Sequence, residues 1–164
     1  VDGSGIRLKY GLTGNVMASV GHLVEGKGHH LAIEALAALP GVSLIIVGEG
    51  PEKRRLERLA KEHGVSGRVR FAGLVPHEEI SEIYSAADIS VLASANEGMP
   101  NVVLESIACG TPVVATNAGG VAEIITAPAA GRIMAERTAD ALVRAASELL
   151  DPSIYGGSVL GTQP

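Results

Sequence analysis

The chain has 164 residues and a formal net charge of −5; it is 46% hydrophobic but only 2% aromatic, and it carries one cysteine. A chain of this length can bury a real core, which must be aliphatic, as in a parallel sheet covered by helices. So few rings and a negative charge exclude a base-stacking or phosphate-tracking nucleic-acid surface, and the lone Cys109 excludes an internal disulfide framework or a cysteine-based metal site.

Residues 1–15 include Gly3, Gly5, Gly11 and Gly14 and read as a loose opening segment. Six β-branched runs follow, at 16–20, 43–47, 69–72, 89–92, 112–116 and 131–134. They are too apolar for strands with one wet face, so cover is expected on both sides. Helical patterns lie between them. Leu56, Leu59, Ala60 and His63 fall at i, i+3, i+4 and i+7, with Pro51 as a first helical residue and Gly64 as the stop. Ile80, Ile83, Tyr84 and Ala87 repeat the spacing, as do Leu142, Ala145, Ala146 and Leu149 after a Thr138 cap.

Strands alternating with helices predict βαβ units. The expected fold is therefore α/β: a single Rossmann-like, doubly wound domain over 16–151, with a six-stranded parallel sheet and helices on both faces. Residues 152–164 are Gly-rich and read as a disordered tail. The apolar runs break well short of the roughly 20 residues a membrane helix needs, and no charged-then-apolar leader opens the chain. The expectation is a soluble, cytoplasmic protein.

Ligands of such sheets sit beyond the carboxyl ends of the strands, which directs attention to the loops there. After the fourth run comes Glu97-Gly98-Met99-Pro100-Asn101-Val102-Val103-Leu104-Glu105, leading into an apolar helix. Pro100 suits a first helical turn, and the N–H groups of Asn101, Val102 and Val103 would point from a helix start whose dipole favours phosphate. Gly98 removes a side chain where a ligand must come close. Glu97 and Glu105 flank this helix end. Carboxylates beside a phosphate site call for other partners, and the vicinal hydroxyls of a sugar or ribose suit them, with charge-assisted bonds of roughly 1.5 to 3 kcal/mol. The plainer alternative is one capping glutamate and one on the solvent face.

After the first run, Gly21-His22-Leu23-Val24-Glu25-Gly26-Lys27-Gly28 nearly spells a P-loop. Gly28 stands where the magnesium-binding hydroxyl belongs, so ATP hydrolysis is not indicated. Lys27 remains an anion contact, or else a surface lysine in a loop. Gly48-Glu49-Gly50-Pro51 and Gly119-Gly120 read as tight strand-to-helix turns. The five histidines lack the i, i+4 spacing of a metal pair, and no metal site is expected.

These segments come in a recognisable order. The 21–28 and Glu97-to-Glu105 segments, together with Val47-Gly48-Glu49-Gly50-Pro51, Val69-Arg70-Phe71-Ala72-Gly73, Ala86-Ala87-Asp88 and Ala108-Cys109-Gly110-Thr111-Pro112-Val113-Val114-Ala115-Thr116, resemble the C-terminal domain of glycosyltransferase family 4, the group 1 enzymes. The match runs from about Val16 to Leu150. The resemblance implies one half of a GT-B enzyme that binds a nucleoside-diphosphate sugar of UDP, GDP or ADP type and transfers the sugar with retention, without a metal or other cofactor. A separate N-terminal domain would hold the acceptor and make any peripheral membrane contact, and this chain alone would transfer little.

The resemblance also implies roles. Lys27 and Glu97 would be catalytic, Lys27 meeting the diphosphate and Glu97 the hydroxyls of the transferred sugar. Glu105 would hold the ribose diol and the backbone near Leu74 would edge the base. Gly21, His22, Gly98, Met99, Asn101, Val102 and Val103 would complete the donor site. The pattern departs at His22, where the family usually has arginine, a permanent cation with bidentate reach. That departure favours a rival reading, a non-catalytic module that keeps the fold. A nucleotide-sugar epimerase of related architecture is the third.

Overall fold

A computed structural model describes residues 2–98 and 100–150. In chain order the elements are α1 (Ser4–Tyr10), β1 (Val16–Val20), α2 (His29–Leu36), β2 (Ser43–Val47), α3 (Lys53–Glu62), β3 (Val69–Gly73), α4 (His77–Ala86), β4 (Ile89–Leu92), α5 (Asn101–Ala108), β5 (Val113–Ala115), α6 (Val121–Ile124), β6 (Gly131–Ile133) and α7 (Ala139–Leu149). The strands form one parallel sheet in the order β3-β2-β1-β4-β5-β6. This is the doubly wound α/β architecture, with all six strands where the apolar runs place them to within a residue or two.

Alternation along each strand divides the core between the two faces. Met17, Leu44, Ile46 and Val91 point to the side covered by α2, α3 and α7, where they meet Leu36, Leu56 and Leu142. Val16, Ala18, Ile45 and Val47 point the other way, towards Ile6 of α1 and Ile83 of α4. Farther along that second face, Leu92, Val113 and Ala115 pack with Val103 of α5 and Val121 of α6. With both faces covered, the inner strands β1, β2, β4 and β5 need no polar alternate positions, which is why they read as nearly continuous apolar runs.

Local signals act as the sequence indicates. Thr138 is extended and its hydroxyl accepts from the Ala141 amide at 3.1 Å, capping α7. Gly64 takes φ +68 just past α3 and donates to the Lys61 carbonyl, ending the helix. Two details differ. Pro51 lies in the turn before α3, and His63 is exposed at its C-cap rather than on the buried stripe, because the helix ends at Glu62.

The larger difference is at the start of the chain. The expected loose opening segment contains α1, which is held by tertiary contacts that a local reading does not see. Arg7 reaches across to donate to the Ala86 carbonyl and to Asp88 Oδ2, at 3.0 and 3.1 Å. Ile6 and Leu12 are buried, and Gly3 lies against the backbone of Ala86, where a side chain would not fit. The segment expected to be a disordered tail, 152–164, lies outside the described residues. Among the described residues no helix is long and apolar enough to cross a membrane.

Candidate functional site

Sheet order reverses between β1 and β4, the two central neighbours. At such a switch point the connections leave towards opposite faces and open a crevice beyond the strand ends. The loops after β1 and β4 are the Gly21–Gly28 loop and the loop carrying Glu97, so topology alone brings the two main candidate segments together. They touch directly. The Ala95 amide donates to the Gly26 carbonyl at 2.8 Å, and a Cβ on Gly28 would lie 2.1 Å from the Ala93 carbonyl oxygen. Gly28 is therefore required by contact between the loops, and no hydroxyl side chain of a P-loop could occupy its place.

Above this contact Lys27 Nζ lies 2.9 Å from Glu97 Oε2, with the side chains 33% and 11% exposed. The two residues expected to be catalytic thus form a single half-shielded ion pair. The carboxylate is the more enclosed member; the ammonium remains open to solvent on one side.

The β2 loop packs against the other flank of the β1 loop. Leu23 donates to the Glu49 carbonyl at 2.9 Å, while a Cβ on Gly48 would sit 2.0 Å from the Gly21 carbonyl oxygen. This supports reading Gly48-Glu49-Gly50 as a close-packed turn. Between the β1, β2 and β3 loops lies a cavity of about 340 Å³ lined by Gly21, His22, Glu49, Leu74, Val75 and Ile80. His22 is exposed there, and Leu74, at 78% exposure, presents a large apolar side chain at the mouth.

Ile80 also borders a second recess of about 340 Å³, in the groove between α4 and α5, with Ser81, Tyr84, Glu105 and Cys109. Glu105 faces this recess. The two glutamates therefore have different surroundings: Glu97 turns to Lys27, and Glu105 faces the α4–α5 groove. Tyr84 is buried beside Glu105, its hydroxyl without a partner among the described residues. Burial pushes the phenol pKa well above its ordinary value, and the neighbouring carboxylate of Glu105 pushes the same way.

At the start of α5 one expectation needs correction. The Val103 amide donates to the Pro100 carbonyl at 3.0 Å, so it is already used, because Pro100 takes the cap position and closes the first turn itself. The amides of Asn101 and Val102 have no acceptor among the described residues. A Cβ on Gly98 would meet nothing within 4 Å, which leaves open space beside the backbone. Met99 lies outside the described residues. Among them, no group of three or more His, Cys, Asp or Glu side chains is placed to hold a metal ion.

One residue absent from the sequence candidates lies directly beneath the β1 loop. His29 is buried, and its ring contacts Ser19 and the His22 carbonyl. Burial lowers its pKa, with smaller opposing effects from the carbonyls of His22 and Gly21. Its only sequence signal is a polar residue at the start of an apolar helix.

A family model described as glycosyl transferases group 1 matches residues 7–154. The lipopolysaccharide core biosynthesis glycosyltransferase LpsE of Rhizobium meliloti is 49% identical over 105 residues, covering 64% of this chain and 30% of LpsE. D-inositol 3-phosphate glycosyltransferase of Corynebacterium urealyticum is 37% identical over 150 residues, covering 85% of this chain and 35% of that protein. The chain thus spans about a third of the length of these relatives. Among solved structures, Anabaena Alr3699/HepE in complex with UDP-glucose aligns with a TM-score of 0.81 at 30% identity, over 87% of this chain and 41% of HepE. The matched span, the sheet order and the paired loops at the switch point agree: this chain belongs to the group 1 glycosyltransferases and has the Rossmann-like α/β architecture of their GT-B fold.

Proposed function

We propose that this chain is the donor-binding part of a retaining glycosyltransferase, which moves a sugar from a nucleoside-diphosphate sugar to an acceptor held by a separate N-terminal domain. The observation that carries the reading is the meeting of Lys27 and Glu97, 2.9 Å apart, at the point where the strand order reverses. A cation and a carboxylate at one crevice suit a ligand that is anionic at one end and rich in hydroxyls at the other.

In this reading the diphosphate lies across Lys27 and the start of α5, where the Asn101 and Val102 amides and the helix dipole favour negative charge. The base enters the apolar cavity edged by Leu74, and the ribose diol meets Glu105 by way of Ile80, which borders both recesses. The transferred sugar lies against Glu97 and Gly98. When the bond between the anomeric carbon and the diphosphate oxygen breaks, its electron pair leaves with the diphosphate. Lys27 sits where that growing charge can be neutralised. The structure of HepE with UDP-glucose supports a donor of this class.

Calorimetry of the chain with UDP, GDP and ADP tests the reading. At least one nucleotide is expected to bind, and Lys27→Ala to weaken it. A chain that binds none of the three overturns the proposal.

A further inference from the structure

Beneath the loop bearing His22 and Lys27 is a histidine that the donor reading leaves without a role. His29 opens α2 and is 2% exposed. Its Nδ1 lies 2.7 Å from Ser19 Oγ and its Nε2 lies 3.1 Å from the His22 carbonyl oxygen. A carbonyl only accepts, so Nε2 carries the proton, and Nδ1 accepts from the Ser19 hydroxyl. Burial favours this neutral ring. The same His22 carbonyl accepts from the Val24 amide at 2.9 Å, so the peptide is held both from within the loop and from below. Gly21 closes the arrangement: a Cβ there would lie 3.9 Å from Lys27 Cδ and 4.0 Å from His29 Nε2.

We propose that His29 is a positioning residue for the diphosphate-binding loop, its Nε2–H fixing the His22 peptide and, through it, the backbone that presents Lys27. The role rests on the donor-binding reading above. A buried histidine that merely fills space and satisfies its own hydrogen bonds would serve the core equally well with either nitrogen engaged. A positioning residue depends on one nitrogen, the one facing the loop.

Two variants separate these roles. His29→Asn keeps an acceptor near Nδ1 for Ser19 but is too short to reach the His22 carbonyl. His29→Gln restores an N–H near Nε2. Calorimetry with UDP, GDP and ADP is run on the wild-type chain and both variants, with thermal melts alongside, and nitrogen-15 NMR reads the tautomer in the wild type. The expected result is an Nε2–H tautomer, about tenfold weaker nucleotide binding in His29→Asn, and near wild-type binding in His29→Gln even where the two variants melt alike. A proton on Nδ1, or equal binding by the two variants, overturns the role while leaving the donor reading intact. A wild-type chain that binds no nucleotide overturns both.

Discussion

Lys27 and Glu97 are 70 positions apart in the chain, yet their side chains meet at 2.9 Å, each carried by the loop after one of the two central strands. With the ammonium a third exposed, such a pair contributes about 1 kcal/mol or less to stability. On the proposed function, its value lies in holding both groups ready for a ligand. In that reading a donor would exchange this contact for contacts of its own, the diphosphate taking the ammonium and sugar hydroxyls the carboxylate.

The two partners should therefore respond differently to substitution. Lys27→Ala removes a charge-assisted contact of about 1.5 to 3 kcal/mol, weakening nucleoside diphosphate binding ten- to a hundredfold. Glu97→Gln leaves that affinity unchanged or slightly tighter, since the ammonium is released, but removes the gain in affinity that the attached sugar supplies. Calorimetry with the nucleoside diphosphate and with its sugar ester checks both outcomes. Equal losses in the two variants would mean that the pair supports the fold rather than the ligand.

Asp88 makes a structural prediction. Its Oδ2 accepts from the Val16 amide at 2.8 Å and from Arg7 at 3.1 Å, tying the start of β1 to α1. Val16 is fully buried, so Asp88→Ala leaves a buried amide without a partner, at a cost of about 1 to 3 kcal/mol. The melting temperature should fall by several degrees, at roughly 2 to 4 °C per kcal/mol for a chain of this size. Asp88→Asn retains an acceptor oxygen and should lose less. Thermal unfolding of both variants decides the matter.

Much of this architecture is legible in the sequence, for a physical reason. Strands buried on both faces are apolar along nearly their whole length, so runs such as Leu44-Ile45-Ile46-Val47 stand out without any alignment. Helix α1 does not stand out, because Gly5 within it and Gly3, Gly11 and Gly14 beside it dominate the local pattern while its anchors, Ala86 and Asp88, lie about 80 positions away. Proximity of Glu97 to the β1 loop follows from strand order, but its bond to Lys27 needs side-chain coordinates. The Val103 amide looks free in the sequence because a regular first α-helical turn leaves its third amide unpaired; here the cap carbonyl of Pro100 accepts from it in a tighter i to i+3 turn.

Acid sensitivity should trace in part to His29. Burial depresses its pKa below the usual value of about 6.5, with Lys27 and His30 adding repulsion, so the unfolded chain binds a proton there before the folded chain does. Stability from this group is fully present above about pH 6.5 and is lost as pH falls through the depressed folded value. His30 is shifted the same way by partial burial, opposed by Glu34 and Glu25, and adds to the trend. Melting temperatures measured between pH 7.5 and pH 5 should decline in the wild type and decline less steeply in His29→Gln. Parallel curves for the two proteins would remove His29 as a cause.

Glu105 should distinguish ribose from diphosphate. It lines the α4–α5 recess, across Ile80 from the cavity edged by His22 and Leu74, and makes no ion pair with Lys27. In the proposed reading this carboxylate takes the ribose diol, and as an anion it has no favourable contact to offer a phosphate. Glu105→Ala should therefore weaken a nucleoside diphosphate ten- to a hundredfold, the loss of about 1.5 to 3 kcal/mol, while leaving inorganic pyrophosphate unaffected. Lys27→Ala should weaken both ligands. Competition calorimetry with pyrophosphate reads the contrast directly: a pyrophosphate affinity that falls with Glu105→Ala would place this carboxylate's influence at the diphosphate, and the ribose would need another partner.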